Sequence, residues 1–362
     1  MDNRLKHEEK IFSKSNWLRI KEICNNNQNS MVSPILTLDL TRNCNYACRH
    51  CVDQSIVNKG EQKEIDWEIL SKLLIELRTQ GCDCIELTGG GEPTLYTNFS
   101  DLLKLCTNLN YKLALISNGV NLYKYKEDIL NASFDWIRIS LDAATEETYS
   151  IVHKCPNKNF LSLINTIKEI ANHKNIGISY LILNENYHEI SAATKLAKEI
   201  GAQYIEIKPL LDFKTRNVHN YESSIKKEIK CQLNKSRIYE DDRFSIIYPE
   251  STVSLDKIQN KNYNICQACY LRTLLTPSGI YPCTYFRGIT LGTEIPHNKD
   301  ELLYYRNVEI QKINPENECT HFCARHGINM FLKDLIQINK VNPQLFELLG
   351  WPADYGKDVL WL

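Results

Sequence analysis

Residues 35–51 read ILTLDLTRNCNYACRHC, an apolar run that gives way to a polar loop bearing three cysteines. A short apolar run bounded in this way reads as a buried strand. Cys44, Cys48 and Cys51 follow it in the spacing C-x3-C-x2-C. Three thiolates on one loop hold three irons of a [4Fe-4S] cube and leave the fourth iron open to another ligand. A zinc site made from the same cysteines and His50 also suits these ligand types.

Five further apolar runs come after it at a regular pace: CIELT (84–88), KLALIS (112–117), WIRISL (136–141), IGISYLI (176–182) and YIEIKPL (204–210). Helix-like stretches lie between them near 66–80, 98–109, 122–131, 160–173 and 187–200. The alternation predicts an α/β fold: a partial (β/α)6 TIM-like barrel over 34–215, with its active site at the carboxyl ends of the strands. Residues 1–33 read as a helical extension, and 216–261 as a polar, lysine-rich linker. A small cysteine-rich domain is expected over 262–330, and a helical tail over 331–362. Within that domain Thr276-Pro277-Ser278-Gly279 predicts a hairpin turn, with Gly279 supplying the positive φ.

The composition is that of a soluble globular protein, 43% hydrophobic and 24% charged over 362 residues. The sequence has no apolar run of about 18 residues and no cleavable signal pattern, so a cytoplasmic location with no membrane partner is expected. Net charge is -1 and the basic residues are dispersed, so nucleic acid is not expected as a partner. The lysine-rich stretches Arg4 to Lys21 and 226–230 read as solvated helix faces. Fourteen cysteines are the unusual feature. In a reducing compartment metal or cluster ligation explains such a count better than disulfides do.

The C-x3-C-x2-C loop after the first strand of a βα series resembles the radical SAM superfamily, and the ends of the next three strands strengthen the likeness. The second strand ends in Thr88-Gly89-Gly90-Gly91-Glu92-Pro93, similar to the family's Gly-Gly-Glu motif, which holds the methionine amino group of S-adenosylmethionine. Glycines there let backbone approach a ligand closely, and Glu92 offers a carboxylate to an ammonium. Read alone, the stretch is an ordinary turn. The third strand ends in Ser117-Asn118-Gly119 and the fourth in Ser140-Leu141-Asp142, like the polar strand ends that face the cofactor's ribose and carboxylate. Ser140 and Asp142 also suit capping of a helix starting near Thr145. The arginine that relatives use for the cofactor carboxylate is not obvious, and His153 or Lys154 stands nearby. The resemblance implies that Cys44, Cys48 and Cys51 carry the catalytic [4Fe-4S] cluster. An electron from it would cleave S-adenosylmethionine to a 5'-deoxyadenosyl radical that removes a hydrogen atom from the substrate.

A second cysteine group comprises Cys266, Cys269 and Cys283, spaced C-x2-C-x13-C, and then Cys319 and Cys323. The segment CQACYLRTLLTPSGIYPC resembles the auxiliary-cluster segments of the SPASM and twitch subfamilies. That resemblance implies one auxiliary [4Fe-4S] cluster, for which five candidate ligands are one more than needed; structural zinc is the plain alternative. An auxiliary cluster there would accept an electron from the substrate radical. Cys155 lies shortly after the fourth strand and reads as a small buried hydrophobe, or as a thiol able to return a hydrogen atom. Trp351, Tyr355 and Trp361 suit packing or the lining of a substrate mouth.

The expected function is oxidation, dehydrogenation or crosslinking of a peptide or small sugar-like metabolite, with a reducing partner such as flavodoxin or ferredoxin. The C-x2-C-x13-C spacing also looks like the auxiliary site of the molybdenum-cofactor GTP cyclases. Those enzymes end in a double glycine, where this sequence ends Val359-Leu360-Trp361-Leu362, and they are not expected to carry the two later cysteines. A non-catalytic iron-sulfur or zinc scaffold is the third reading. It leaves the coincidence of the cysteine loop, the GGGEP and the polar strand ends unexplained.

Overall fold

The computed structural model describes residues 14–60, 63–212, 217–248, 260–287, 292–319 and 323–349. Strands β1 (Ile35–Asp39), β2 (Cys84–Thr88), β3 (Lys112–Ser117), β4 (Phe134–Ser140), β5 (Ile176–Ile182) and β6 (Tyr204–Pro209) alternate with helices. The helices are α2 (Trp67–Thr79), α3 (Phe99–Asn108), α4 (Lys126–Asn131), α5 (Glu146–His153), α6 (Lys158–Ala171) and α7 (Ile190–Glu199); α1 (Lys14–Cys24) precedes β1. The helix α2 shows why these stretches fold as they do. Asp66 caps it by accepting from Ile69 N at 3.0 Å, and Leu70, Leu73, Leu74 and Leu77 form one buried stripe on the sheet.

All neighbouring strands from β1 to β6 are parallel, and the sheet extends beyond both ends of the expected six. The order is β7-β6-β5-β4-β3-β2-β1-β8-β9, an open sheet of nine strands. β7 (Ser245–Ile247) and α8 (Ser223–Ser236) come from the stretch read as a linker. That reading is corrected: α8 packs on α7, with Gln232 accepting from Ser191 N at 3.1 Å, and β7 pairs with β6. β8 (Arg272–Thr276) and β9 (Gly279–Tyr281) form the expected hairpin, and Gly279 has φ +97. This hairpin lies within the stretch expected to be a separate domain, yet β8 pairs parallel with β1 and so belongs to the barrel sheet.

The inner face of the sheet is polar and internally paired. Thr37 donates to Glu86 at 3.2 Å and accepts from Arg272 Nε at 2.8 Å, and the Arg272 guanidinium also pairs with Glu86. Further round, Arg138 pairs with Glu206 at 2.7 Å, as does Lys208 at 3.1 Å. Gly177 lets the Tyr204 ring lie across β5, because a Cβ there would stand 1.9 Å from that ring.

The amino ends of the strands are closed by a second apolar core. Ile35, Cys84 and Ala114 pack there with Trp17, Ile20 and Ile23 of α1. Helices α12 (His326–Val341) and α13 (Pro343–Leu348) contribute Leu332, Leu335 and Phe346. Three more helices, α9 (Ala268–Leu271), α10 (Lys299–Gln311) and α11 (Pro315–Glu318), precede them. Trp351, Tyr355 and Trp361 lie outside the described residues. Among those described, no helix is long and apolar enough to cross a membrane.

The Gly177→Ala variant should force Tyr204 off β5 and cost about 1–3 kcal/mol. The check is a urea titration, expected to show a lower midpoint with an unchanged slope.

Candidate active site

The loop after β1 carries Cys44, Cys48 and Cys51 at the carboxyl end of the sheet, all half-buried. Burial pushes all three thiols up, Cys51 to about 11. Cys48 and Cys51 are raised further by their neighbouring cysteines, so the loop gathers thiols that an anion would not otherwise favour. A cationic cluster offsets that penalty by binding the thiolates, so the donor set fits the [4Fe-4S] group that the spacing implied.

The glycine run fits against this loop. A Cβ on Gly91 would stand 2.3 Å from Asn43 O, and one on Gly89 would overlap Gly91 O at 1.8 Å. Glu92 N donates to Asn43 O at 2.8 Å, which pins the run to the cysteine loop. The Glu92 carboxylate is buried and its partners are within the chain: Thr94 N and Oγ1, Ser117 Oγ at 2.6 Å and Asn118 N at 2.8 Å. Burial pushes its pKa up while those bonds pull it down. Glu92 therefore fastens the end of β2 to the end of β3. Pro93 starts the short turn after it, and the Asn118 amide donates to Asn45 in the cysteine loop at 2.8 Å.

Ser140 stands opposite Ser179 of β5, and Thr145, rather than Ser140 or Asp142, caps α5. Asp142 adopts φ +52 and accepts from Leu181 N at 2.7 Å. Its other oxygen, Oδ2, faces His50 Nε2 at 3.4 Å and His153 Nε2 at 3.7 Å. Burial pushes Asp142 up, but the two imidazoles outweigh it and hold the carboxyl below its usual range. His153 is buried and its pKa falls to about 4, chiefly from desolvation. Lys154 caps α5 in the left-handed region and points to solvent.

Two partnerships that sequence reasoning missed hold the site together, and both converge on one residue. Arg287 is buried and forks onto two carboxylates: Nη1 meets Asp39 Oδ1 and Oδ2 at 2.8 and 2.7 Å, and Nε and Nη2 meet Asp53 at 3.0 and 2.5 Å. Asp39 ends β1, Asp53 lies two residues past Cys51, and Arg287 lies four past Cys283. Burial raises Asp39 to about 6 even against the pull of Arg287, because one guanidinium serves two carboxylates. No local pattern in the sequence signals this arrangement.

The later cysteines also converge. Cys266, Cys269, Cys283, Cys319 and Cys323 line one cavity with Lys261, Arg325 and an apolar wall that includes Phe286 and Ile313. Cys266 is held low, to about 6, first by the Cys269 thiol donating to it, and Cys269 is raised for the same reason. Asn329 donates to Cys266 Sγ at 3.3 Å. Cys266 and Cys269 precede the amino end of β8, and Cys283 comes after β9 as it returns to that end. The two cysteine groups thus sit at opposite ends of β1, separated by roughly 13 Å of strand. Cys155 is buried beside the hydroxyl of Tyr46, a residue of the cysteine loop.

With this geometry, the chain can be compared with known proteins. Residues 38–197 match the family model described as the Radical SAM superfamily. The chain is 26% identical over 290 residues to a GTP 3',8-cyclase of Helicobacter pylori, covering 73% of this chain and 84% of that protein. An archaeal relative from Methanocaldococcus jannaschii, named as a glycyl-radical enzyme activating enzyme, is 31% identical over 160 residues. That match takes in 44% of this chain, which spans only 60% of the relative's length. Among solved structures, Streptococcus suis SuiB bound to the precursor peptide SuiA has a TM-score of 0.62 at 16% identity, covering 83% of this chain and 72% of that one. At that identity the likeness concerns the fold. The likeness to the radical SAM superfamily thus rests on residues 38–197, a little under half of the chain. The family implies a [4Fe-4S] cluster and S-adenosylmethionine.

Replacing Arg287 by Leu leaves two buried carboxylates facing each other and should cost about 3–5 kcal/mol. Adding Asp39→Asn and Asp53→Asn to that variant should recover most of the loss, as read by urea denaturation in a mutant cycle.

Proposed function

We propose that the chain uses S-adenosylmethionine at the Cys44–Cys48–Cys51 cluster to remove a hydrogen atom from a peptide or a small sugar-like metabolite. The oxidation, dehydrogenation or crosslink is then completed with help from one auxiliary [4Fe-4S] cluster. When bound, the first cluster supplies the electron that breaks the sulfonium bond of S-adenosylmethionine and frees the hydrogen-abstracting 5'-deoxyadenosyl group. Gly89, Gly90, Gly91, Glu92, Pro93, Ser117, Asn118, Ser140 and Asp142 shape the cofactor's resting place at the strand ends. In this role Glu92 positions the Gly-rich turn, since its carboxylate is already engaged by Ser117 and Asn118. A reducing partner such as flavodoxin or ferredoxin provides the electron.

The observation that carries the proposal is the convergence of all five later cysteines on one cavity at the far end of β1. Four thiolates complete the ligation of a cube, so its iron is not open to substrate and electron transfer is its remaining role. A substrate on the polar inner face of the sheet, near Thr37, Glu86 and Arg272, lies between the two clusters. Precursor-peptide binding in SuiB supports a peptide by analogy of fold alone.

The long alignment with GTP 3',8-cyclase favours a second reading, in which the substrate is GTP. Calorimetry separates the two: no saturable GTP binding is expected, and micromolar affinity would favour the cyclase reading. The auxiliary cluster is tested by metal content after anaerobic reconstitution. About eight irons per chain are expected for wild type and about four for either Cys48→Ala or Cys269→Ala. Cys269→Ala should still cleave S-adenosylmethionine but form no substrate-derived product. Zinc in place of the second set of irons would overturn the auxiliary role.

A further inference from the structure

Two imidazoles stand beside Cys48, His153 buried and His50 partly buried. His153 Nε2 lies 3.0 Å from Leu141 O, and its Nδ1 lies 3.2 Å from Cys48 Sγ. A carbonyl only accepts, so Nε2 carries the proton, and Nδ1 turns its lone pair toward the sulfur. In the metal-free chain the Cys48 thiol donates into that lone pair. Once iron holds the sulfur there is no proton to donate, and two lone pairs face each other.

His50 repeats the arrangement. Its Nε2 faces Asp142 Oδ2 at 3.4 Å, and its side chain is 9% exposed. His50 Nδ1 is buried without a hydrogen-bond partner among the described residues. Buried polar atoms without partners are uncommon and call for an explanation such as a bound ion. One ligand atom each from Cys48, His50 and His153 lies within 4.8 Å of the other two. A histidine whose outer N–H is held by a carbonyl or a carboxylate, leaving the inner nitrogen free, has the orientation found around bound zinc.

We propose that Cys48, His50 and His153 form a second metal site, for one divalent ion of the zinc class, which competes with the [4Fe-4S] cluster for Cys48. The donor set is one thiolate and two neutral imidazoles, with water or a neighbouring thiolate, Cys44 or Cys51, as the fourth ligand. Binding releases the Cys48 proton to solvent and changes no oxidation state. Asp142 is the positioning residue, orienting both rings from behind. The site holds the loop in a folded, iron-free state that must give up its ion before the cluster is built. The metal site stands independently of the radical SAM reading, whereas the competition rests on it.

The test uses the full-length, metal-free protein under anaerobic conditions, titrated with Zn²⁺ against a chromophoric chelator and with Co²⁺ for its visible spectrum. Wild type should take up one equivalent more than His50→Ala or His153→Gln, with tetrahedral Co²⁺ bands that both variants lose. Asp142→Asn keeps the acceptor for Leu181 N and should retain the stoichiometry while weakening affinity by about 10–100-fold. Circular dichroism identifies any variant that fails to fold, and Cys48→Ser then serves in its place. Protein preloaded with Zn²⁺ should gain about four fewer irons on reconstitution, and chelation should restore them. Equal zinc uptake in wild type and folded variants would overturn the site. Undiminished iron uptake after zinc loading would overturn the competition. Zinc uptake lost in the variants, in a protein whose first three cysteines take no iron, would uphold the site and sink the cluster reading instead.

Discussion

A single guanidinium, Arg287, joins three parts of this chain that the sequence keeps far apart. It is out of water and bonded to the last residue of β1, to the loop that carries the first three cysteines, and, through its own backbone, to the segment that carries Cys283. Charge-assisted forks of this kind are strong when both partners are present and expensive when one is missing, so the arrangement is close to all-or-none. Arg287 thus ties the cysteine loop to the later half of the chain.

That constraint explains why the cysteine-rich segment is built into the barrel. β8 adds to the sheet beside β1, so β1 is flanked on both sides by parallel partners, and its two ends are fixed for different purposes. At its carboxyl end lie Cys44, Cys48, Cys51 and the Gly-rich turn. Near its amino end the apolar core of Trp17, Ile20, Leu271 and Leu332 packs against Cys269, with Cys266 and Cys283 at its margin. The polar pairs Glu86–Arg272 and Arg138–Glu206 occupy the inner face between these ends. Two sets of thiols at the ends of one strand, with paired polar side chains between them, are the arrangement on which the proposed function rests.

The features legible in the sequence were those written locally. The six strands from Ile35 to Pro209 match their apolar runs to within a residue or two, because every second residue of each run is an apolar side chain for the main core. Gly279 was legible for the same reason, since its turn is defined by four adjacent residues. What escaped were partnerships between distant residues. No window of sequence announces that β8 will pair with β1, that Arg287 will meet Asp39 and Asp53, or that His50 and His153 will face one carboxylate. Helix α8 was read as linker because its surface is rich in lysine and only a thin set of side chains, Ile229, Gln232 and Ser236, is buried. Equally unannounced were the bonds that hold two of the expected cofactor residues in place, Glu92 to β3 and Asp142 to Leu181.

The central claim is that the three cysteines after β1 support reductive cleavage of S-adenosylmethionine. Its most direct test is to supply the anaerobically reconstituted enzyme with S-adenosylmethionine and a strong reductant and to quantify 5'-deoxyadenosine by mass spectrometry, with Cys48→Ala in parallel. The account predicts steady formation by the wild type and none above background by the variant. No 5'-deoxyadenosine from a wild type whose first cluster is fully loaded, or equal amounts from both proteins, would contradict it.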